Sequence, residues 1–518
     1  MIVRYVILLW LVTAQAYALG DQELLFVRPS GACPFSGNGK AYDCAASTGA
    51  LGAWIGLDKV QWSATDATDA AVDPNDILAI CGAHLVVSVQ TRLRPTVDGN
   101  ATDGHIITDG GACPGDPGSL DGQDVHARLV WWDSRFYHIL KNITVKRSAS
   151  DFAISGYDSA QQDRDRYLTL DHVIVRDNVL AATAVWFWGA RITVLHSQGI
   201  NNYTDNFYFK GGRDVTFEHN RCTDMHGPAD CFQQDSTNIA STGTIKINYN
   251  DCDKTGAQDI KYCYLVGPVN GPTEIIGNTA ICPTISSSAS GCSPILVDLK
   301  ITEGNVSTAE VQILRNTTRK GWRGITYYRG SNGGFRGQII GNDVCDAGTL
   351  GIWLNSTVDN VLIANNTICR NGLLAAGVGG EHGVYIGKPN STQVFVLNNL
   401  FAYNHKDYYF SGTFGTTPAN NSYFGQVAYN IEKAGSGQQV LEGTAQTTDP
   451  RFLNYVSDNL KLDGPSPLRQ AGTAVAECVS RDGIPCTPTP DIGAYQVRHG
   501  GAPAGVLTSA AAVVAQGR

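Results

Sequence analysis

The sequence predicts an all-β solenoid with an irregular N-terminal cap, and three observations carry that prediction. A phrase of alternating apolar and polar residues ending in Asn or Ser recurs between residues 143 and 399. A second apolar-alternating segment follows within most of the intervals. The composition, with 57 Gly, 2 Met and 16% charged residues, suits many short strands joined by turns better than helices.

Residues 1–18 read as a secretory signal. Arg4 precedes the apolar run VILLWLV, and Ala16 and Ala18 flank Tyr17 in the small-x-small form that signal peptidase prefers. A membrane anchor is the competing reading, but the run is shorter than the ~20 residues a span requires. An even number of cysteines, 14, in an exported chain points to disulfides. Cys33 with Cys44 and Cys478 with Cys486 are local pairs that would staple the two ends. None of the cysteines has zinc-site spacing. A net charge of −9 without any basic stripe argues against a nucleic-acid partner, and no other segment is long enough to cross a bilayer.

Residues 19–125 are irregular, with the apolar strands DILAICG and HLVVSVQ between turn-rich stretches, and read as the cap and first incomplete coils. The helix proper is expected over 126–430. Its repeating phrases are ITVKRS (143–148), VIVRDN (173–178), ITVLHS (192–197), VTFEHN (215–220), IKINYN (245–250), TEIIGN (273–278), VQILRN (311–316), GQIIGN (337–342), VLIANN (361–366) and VFVLNN (394–399). Such intervals of ~20–40 residues, each a strand meeting a tight turn, mark a solenoid. A terminal amide that both donates and accepts can bond the coil above and the coil below. Asn178, Asn220, Asn250, Asn278, Asn316, Asn342, Asn366 and Asn399 are therefore expected to form a ladder. Cys222 with Cys252, and Cys345 with Cys369, fall at equivalent places in neighbouring units, as disulfides or as buried thiol stacks. Residues 431–497 read as closing coils, and the small, aliphatic 498–518 as a disordered tail.

The second segments are AVWFW, NFYFK, CFQQD, DIKYC, PILVD, GITYY, GIWLN, GVYIG and DYYFS. With their second and fourth residues inward, alternation puts Trp186, Tyr208, Gln233, Lys261, Leu296, Thr326, Trp353 and Tyr385 in one outward column. Trp188, Lys210, Asp235, Cys263, Asp298, Tyr328 and Asn355 form the next. Aromatic rings at both ends and charges between them suit an elongated sugar chain.

The coil phrases, with the closing stretch GTAQTTDPRFLNYVSDNLKLDGPSPLRQAGT and DIGAYQ, resemble secreted right-handed parallel β-helix proteins of the pectate-lyase-like superfamily over roughly residues 123–496. That resemblance implies a right-handed parallel β-helix and a polysaccharide partner. It names no subfamily: the N-T-D and G-H-G pair of polygalacturonases is absent, and no motif matches the region of the pectate lyase catalytic arginine.

Two chemistries fit the expected face. For hydrolysis, Asp235 and Asp298, two coils apart, suit an inverting acid and base, and Asp259 offers a third carboxylate. For β-elimination, Lys261 is the candidate base if Lys210 crowds it, with Asp230, Asp235 and Asp298 as a candidate Ca²⁺ set. Arg323 and Arg329 are expected to clamp an acidic sugar, and the substrate-binding set is completed by Trp186, Trp188, Tyr208, Gln233, Tyr328, Trp353 and Tyr385. The expectation is a secreted polysaccharide-cleaving enzyme, lyase ahead of hydrolase. A non-catalytic glycan-binding or adhesin-type β-helix is the alternative.

Overall fold

The computed structural model describes residues 22–496, except 46, 49, 64–70, 103, 158–163, 179–182, 212, 226, 228–229, 236–242, 257–260, 268–270, 288–290, 300–309, 330–333, 356, 375–380, 388–391, 411–417, 425–428, 434–446, 456–457 and 476–477. The signal and tail predicted at the two ends lie outside the described residues. Three long sheets of 14, 13 and 12 strands run the length of the molecule, and every strand pairing within them is parallel. Each coil contributes one strand to each sheet in turn. Val215–Glu218, Arg221–Thr223 and Phe232–Asp235 make one coil, and Ile245–Asn248, Asp251–Asp253 and Tyr262–Val266 make the next. The chain is a parallel β-helix, as the repeat predicted.

Sequence reading found two strands per coil where the structure has three. The missing one is typified by Arg221–Thr223, whose three residues are too short to show a period. For the same reason ITVKRS and VIVRDN were placed on the wrong sheet: Thr144–Lys146 and Ile174–Arg176 belong to the second, not the first. Strands of the first and second sheets, such as Val215–Glu218 and Arg221–Thr223, both end at polar turns, so the phrase alone does not say which corner follows.

The amide ladder runs through the corner between the first and second sheets. Asn220, Asn250, Asn278, Asn316, Asn342, Asn366 and Asn399 each give their backbone N–H to the side-chain oxygen of the next, at 2.8–3.1 Å, and Asn421 closes the row. Their side-chain N–H groups reach carbonyls such as Ile275 O, 2.8 Å from Asn316 Nδ2. Asn178 is not in this row: it bonds Asn202 at the corner between the second and third sheets, where Asn371 and Asn404 repeat the arrangement.

Inward residues from all three sheets fill the coil interior. Phe187 stacks on Phe209 along the axis, Phe232 meets Phe209 edge-on, and Phe217 packs across on Phe232 at 4.7 Å. Gln234, an amide in an apolar column, is satisfied because its Oε1 accepts the Gly267 N–H at 2.9 Å. Six disulfides form: Cys33–Cys44, Cys81–Cys113, Cys222–Cys231, Cys282–Cys292, Cys345–Cys369 and Cys478–Cys486. Cys222 bridges across its own coil rather than to Cys252.

The two ends close the stack differently, and the N-terminal one does so as the expected cap of first coils. Leu24–Arg28, Ile77–Ile80 and Ile106–Asp109 already pair in the first sheet, so the irregular N-terminal part is continuous with the stack. Residues 450–496 do not complete further coils. They fold back along the outer face of the second sheet, where Leu460, Leu462, Leu468 and Ile492 pack on Leu400, Ala402 and the Cys345–Cys369 bridge. Tyr495 Oη donates to Asp343 at 2.7 Å, beside the buried Arg319–Asp343 ion pair. Among the described residues no helix is long and apolar enough to cross a membrane.

Candidate active site on the third sheet

Register decides which side chains meet on this face. The outward column is Trp186, Tyr208, Gln233, Leu265, Leu296, Thr326, Trp353, Tyr385 and Tyr409. It matches expectation everywhere but one place, where Leu265 stands instead of Lys261. The strand is YCYLV, Tyr262–Val266, rather than DIKYC. Lys261 itself has φ 65° and sits in the turn before it. A four-residue displacement preserves which side of a strand faces out, so alternation does not detect it.

The second column contains Trp188, Lys210, Asp235, Asp298, Tyr328 and Asn355, and Gly267, the residue after the paired Val266, continues the register between Asp235 and Asp298. Gly267 replaces the expected Cys263, which is buried. Asp235 and Asp298 are therefore two coils apart, about 9–10 Å along the axis, with no side chain on the coil between them. Asp235 Oδ2 accepts from Tyr208 Oη at 2.8 Å and Gln233 Nε2 at 3.2 Å. Burial, then the Asp235 charge, pushes the Tyr208 phenol far above its ordinary range, so it stays a donor. Lys210 makes no ion pair with Asp235; its Nζ lies 4.6 Å from the centre of the Trp188 ring.

Lys261 joins a different group. Its Nζ is 2.9 Å from Asp205 Oδ1, and that oxygen also accepts the Asp230 backbone N–H. Asp230 is 1% exposed, and its Oδ1 accepts the Tyr262 N–H at 2.7 Å. Burial, reinforced by the Asp205 charge, pushes the Asp230 carboxyl up to about 7. Burial pulls the Lys261 amine down, but the Asp205 and Asp230 charges outweigh it and the net direction is up. The base role expected for Lys261 required the opposite direction. Lys210 is turned to Trp188, and Asp205 holds the Lys261 ammonium.

The calcium set does not assemble either. Asp230 is turned to a backbone amide and Asp235 to Tyr208 and Gln233. Among the described residues the ligating groups that converge within 4.8 Å are elsewhere, at Asp171, His172 and His196 and at Asp343, Cys345 and Cys369. The three carboxylates do not fit a Ca²⁺ ion, which takes six to eight oxygens at 2.3–2.6 Å.

Toward the C-terminal end, Arg323 lies between the rings of Trp322 and Trp353, its guanidinium carbon 3.2 and 3.3 Å from their centroids. Its Nε is buried without a hydrogen-bond partner among the described residues. Burial pushes the group down to about 9, which leaves it cationic at neutral pH. Tyr328 extends this cluster, 6.0 Å from Trp353, and Tyr385 stacks on Tyr409 at 4.5 Å. At the opposite end Trp186 packs between Phe152, Tyr157 and Tyr208. Trp188 is 6% exposed beneath Tyr157 and Lys210, so it supports the platform rather than forming its surface. Asp259 and the Arg329 side chain lie outside the described residues.

Sequence reasoning missed Asp205, Tyr262 and Trp322. Asp-x-Phe occurs at the head of two consecutive strands, Asp205 to Phe207 and Asp230 to Phe232, and this repeat was the available signal. The row is also less open than expected: Leu265, Leu296 and Thr326 are almost fully buried, giving a lined trough with half-buried polar walls at Gln233, Asp235 and Asp298.

Fold and face together define a parallel β-helix with a polar and aromatic trough on its third sheet. No family model and no curated protein matches the sequence. Among solved structures, the crystal structure of pectate lyase Pel9A is similar to this chain at 13% identity, over 93% of this chain and 98% of its own, with a TM-score of 0.37. The A-module of the mannuronan C-5 epimerase AlgE6 from Azotobacter vinelandii is 13% identical, over 83% and 90%, with a TM-score of 0.29.

Proposed function

We propose that this protein is a secreted enzyme that hydrolyses an acidic polysaccharide lying along the third sheet. The observation that carries the reading is Arg323: a half-buried cation held between two indoles, with no ion pair among the described residues, on the face that carries Asp235 and Asp298. A uronate carboxylate supplies two acceptor oxygens for such a guanidinium. Trp353, Tyr385, Tyr208 and Trp186 supply ring faces for sugar C–H surfaces on either side. Asp235, fixed as an acceptor by Tyr208 and Gln233, suits the base that activates water, and Asp298 suits the acid that protonates the leaving oxygen. Their separation is near the upper end of the ~6.5–9.5 Å used by inverting pairs, and Gly267 leaves room for the water. Six disulfides support an oxidising, extracellular setting.

β-Elimination is the second reading, favoured by two cations, Arg323 and Lys261, that could neutralise a uronate; the base would then be a carboxylate rather than Lys261. Incubation with pectate, alginate, glycosaminoglycans and a neutral glucan separates the readings. The expected result is new reducing ends from an acidic polymer without an ultraviolet-absorbing unsaturated product, and a KM raised at least about tenfold by Arg323→Ala. An unsaturated product would replace hydrolysis by elimination. Binding of an acidic polymer without cleavage would leave a glycan-binding protein, and preference for the neutral glucan would remove the role given to Arg323.

A further inference from the structure

We propose that the corner between the first and second sheets binds a divalent transition-metal ion, of which Zn²⁺ is the type, through Asp171, His172 and His196. Each coil passes this corner through one residue just before the ladder position. Backbone bonds put His172, His196, His219, Tyr249, Gly277 and Arg315 in one row. All have positive φ, with 54°, 49° and 57° at the three histidines, a conformation uncommon for residues other than glycine and asparagine. Three of the 11 histidines, 24 and 23 residues apart in sequence, thus become consecutive rungs. Coil spacing stacks their rings at 4.6 and 5.5 Å between centroids.

The ligating atoms converge on one point. Nδ1 of His172 and Nδ1 of His196 lie 2.8 and 3.1 Å from the same oxygen, Oδ1 of Asp171. Two imidazole nitrogens and a carboxylate oxygen are a three-residue set that zinc accepts, with water completing the shell; imidazole also suits copper and nickel. All three side chains are about one-third to three-fifths exposed, so an ion can enter from solvent. The other convergent group, Asp343, Cys345 and Cys369, has its sulfurs joined in a disulfide and offers no thiolate. An ion at the corner would tie two adjacent coils together on a face away from the third-sheet trough.

Calorimetric titration of the mature chain with Zn²⁺ tests this. One saturable site is expected, at least about tenfold weaker in His172→Asn/His196→Asn, because asparagine tolerates the same backbone conformation but is a poor zinc ligand. The melting temperature of that variant in metal-free buffer is expected to equal the wild type's, which separates lost ligation from lost folding. No saturable binding, or equal binding by the variant, would overturn the site.

A second inference rests on sulfur register. We infer that Cys252 and Cys263 form a seventh disulfide when the chain folds in an oxidising compartment. Cys252 is the strand partner of Cys222, and the pairing of Phe232 with Tyr264 puts Cys263 beside Cys231. Cys222 and Cys231 are bridged, with Cα atoms 5.6 Å apart, so the next two cysteines repeat that placement one coil on. Both are buried, and Cys263 Sγ lies 3.8 Å from Cys252 O. Exchange with a disulfide of a thiol oxidoreductase would oxidise the two thiols to one S–S bond and release the oxidant as two thiols. Burial pushes the Cys252 thiol up, so this step belongs to folding, before the coil closes. The bridge would pin the strand that begins at Tyr262 and the turn before it that carries Lys261. Alkylation of the denatured, unreduced protein followed by mass spectrometry is expected to find no free thiol and a Cys252–Cys263 peptide pair. Two alkylated thiols, or Cys252 linked to Cys222, would refute it.

Discussion

Asp235→Asn is expected to lower kcat for the cleaved polysaccharide by about 10²–10⁴, the usual contribution of a positioned general base, with KM changed less than about threefold. The amide keeps the size of the carboxylate and still accepts from Tyr208 Oη, which lies 2.8 Å from Oδ2 in the wild type. Packing is preserved while basicity is lost. Initial rates of reducing-end release, with melting temperature as a folding control, measure the effect. A kcat within a factor of three of wild type would place the base elsewhere, and Asp298 would then need a different partner. Lys261→Met serves as the contrast. It removes the ion pair with Asp205 that holds the neighbouring turn, so any loss there should come with a lower melting temperature, unlike the loss at Asp235.

The largest stability effect is expected in the ladder. Asn316→Ala removes an oxygen that accepts two N–H groups of Asn278, each at 2.9 Å. It also removes an amide that donates to Ile275 O and Asn342 Oδ1, at 2.8 and 3.0 Å. Asn316 is completely buried, so water cannot substitute for the lost partners. Leaving such groups unsatisfied costs about 1–3 kcal/mol each before relaxation, and a total of about 3–5 kcal/mol is expected. Chemical denaturation of the mature chain measures it. A cost under about 1 kcal/mol would mean that the backbone pairing alone holds the corner. Asn316 also heads an N-T-T glycosylation sequon, and its burial turns that side chain into the coil interior.

Asn316 and Lys261 show how unevenly sequence reports structure. The amide ladder was readable because its cause is local: a buried corner requires a side chain that donates and accepts, and few residues qualify. Asn178 was misread because two of the coil's corners use the same device. The trough residues Tyr208, Gln233 and Asp235 were legible as outward polar or aromatic places in apolar strands, and Arg323 as a cation flanking one. Trp322 was not, since only a third dimension puts its ring on the far side of the Arg323 guanidinium. The histidine row was half hidden: His196 and His219 share the fifth place of ITVLHS and VTFEHN, whereas His172 lies outside every repeating phrase.

Alternation, turn amides and the recurring interval determined that this chain coils, which residues point inward, and that charge and aromatic rings share one outer face. Those properties follow from near-neighbour chemistry along the strand. The tertiary structure alone decided which rungs are adjacent, because the number of residues in each connecting loop sets where the next strand begins. One loop places Lys261 four residues before its expected rung, beside Asp205 rather than Gln233, and leaves Gly267 between the two carboxylates. Contacts between neighbouring coils depend on that offset, and no pattern within a single coil contains it.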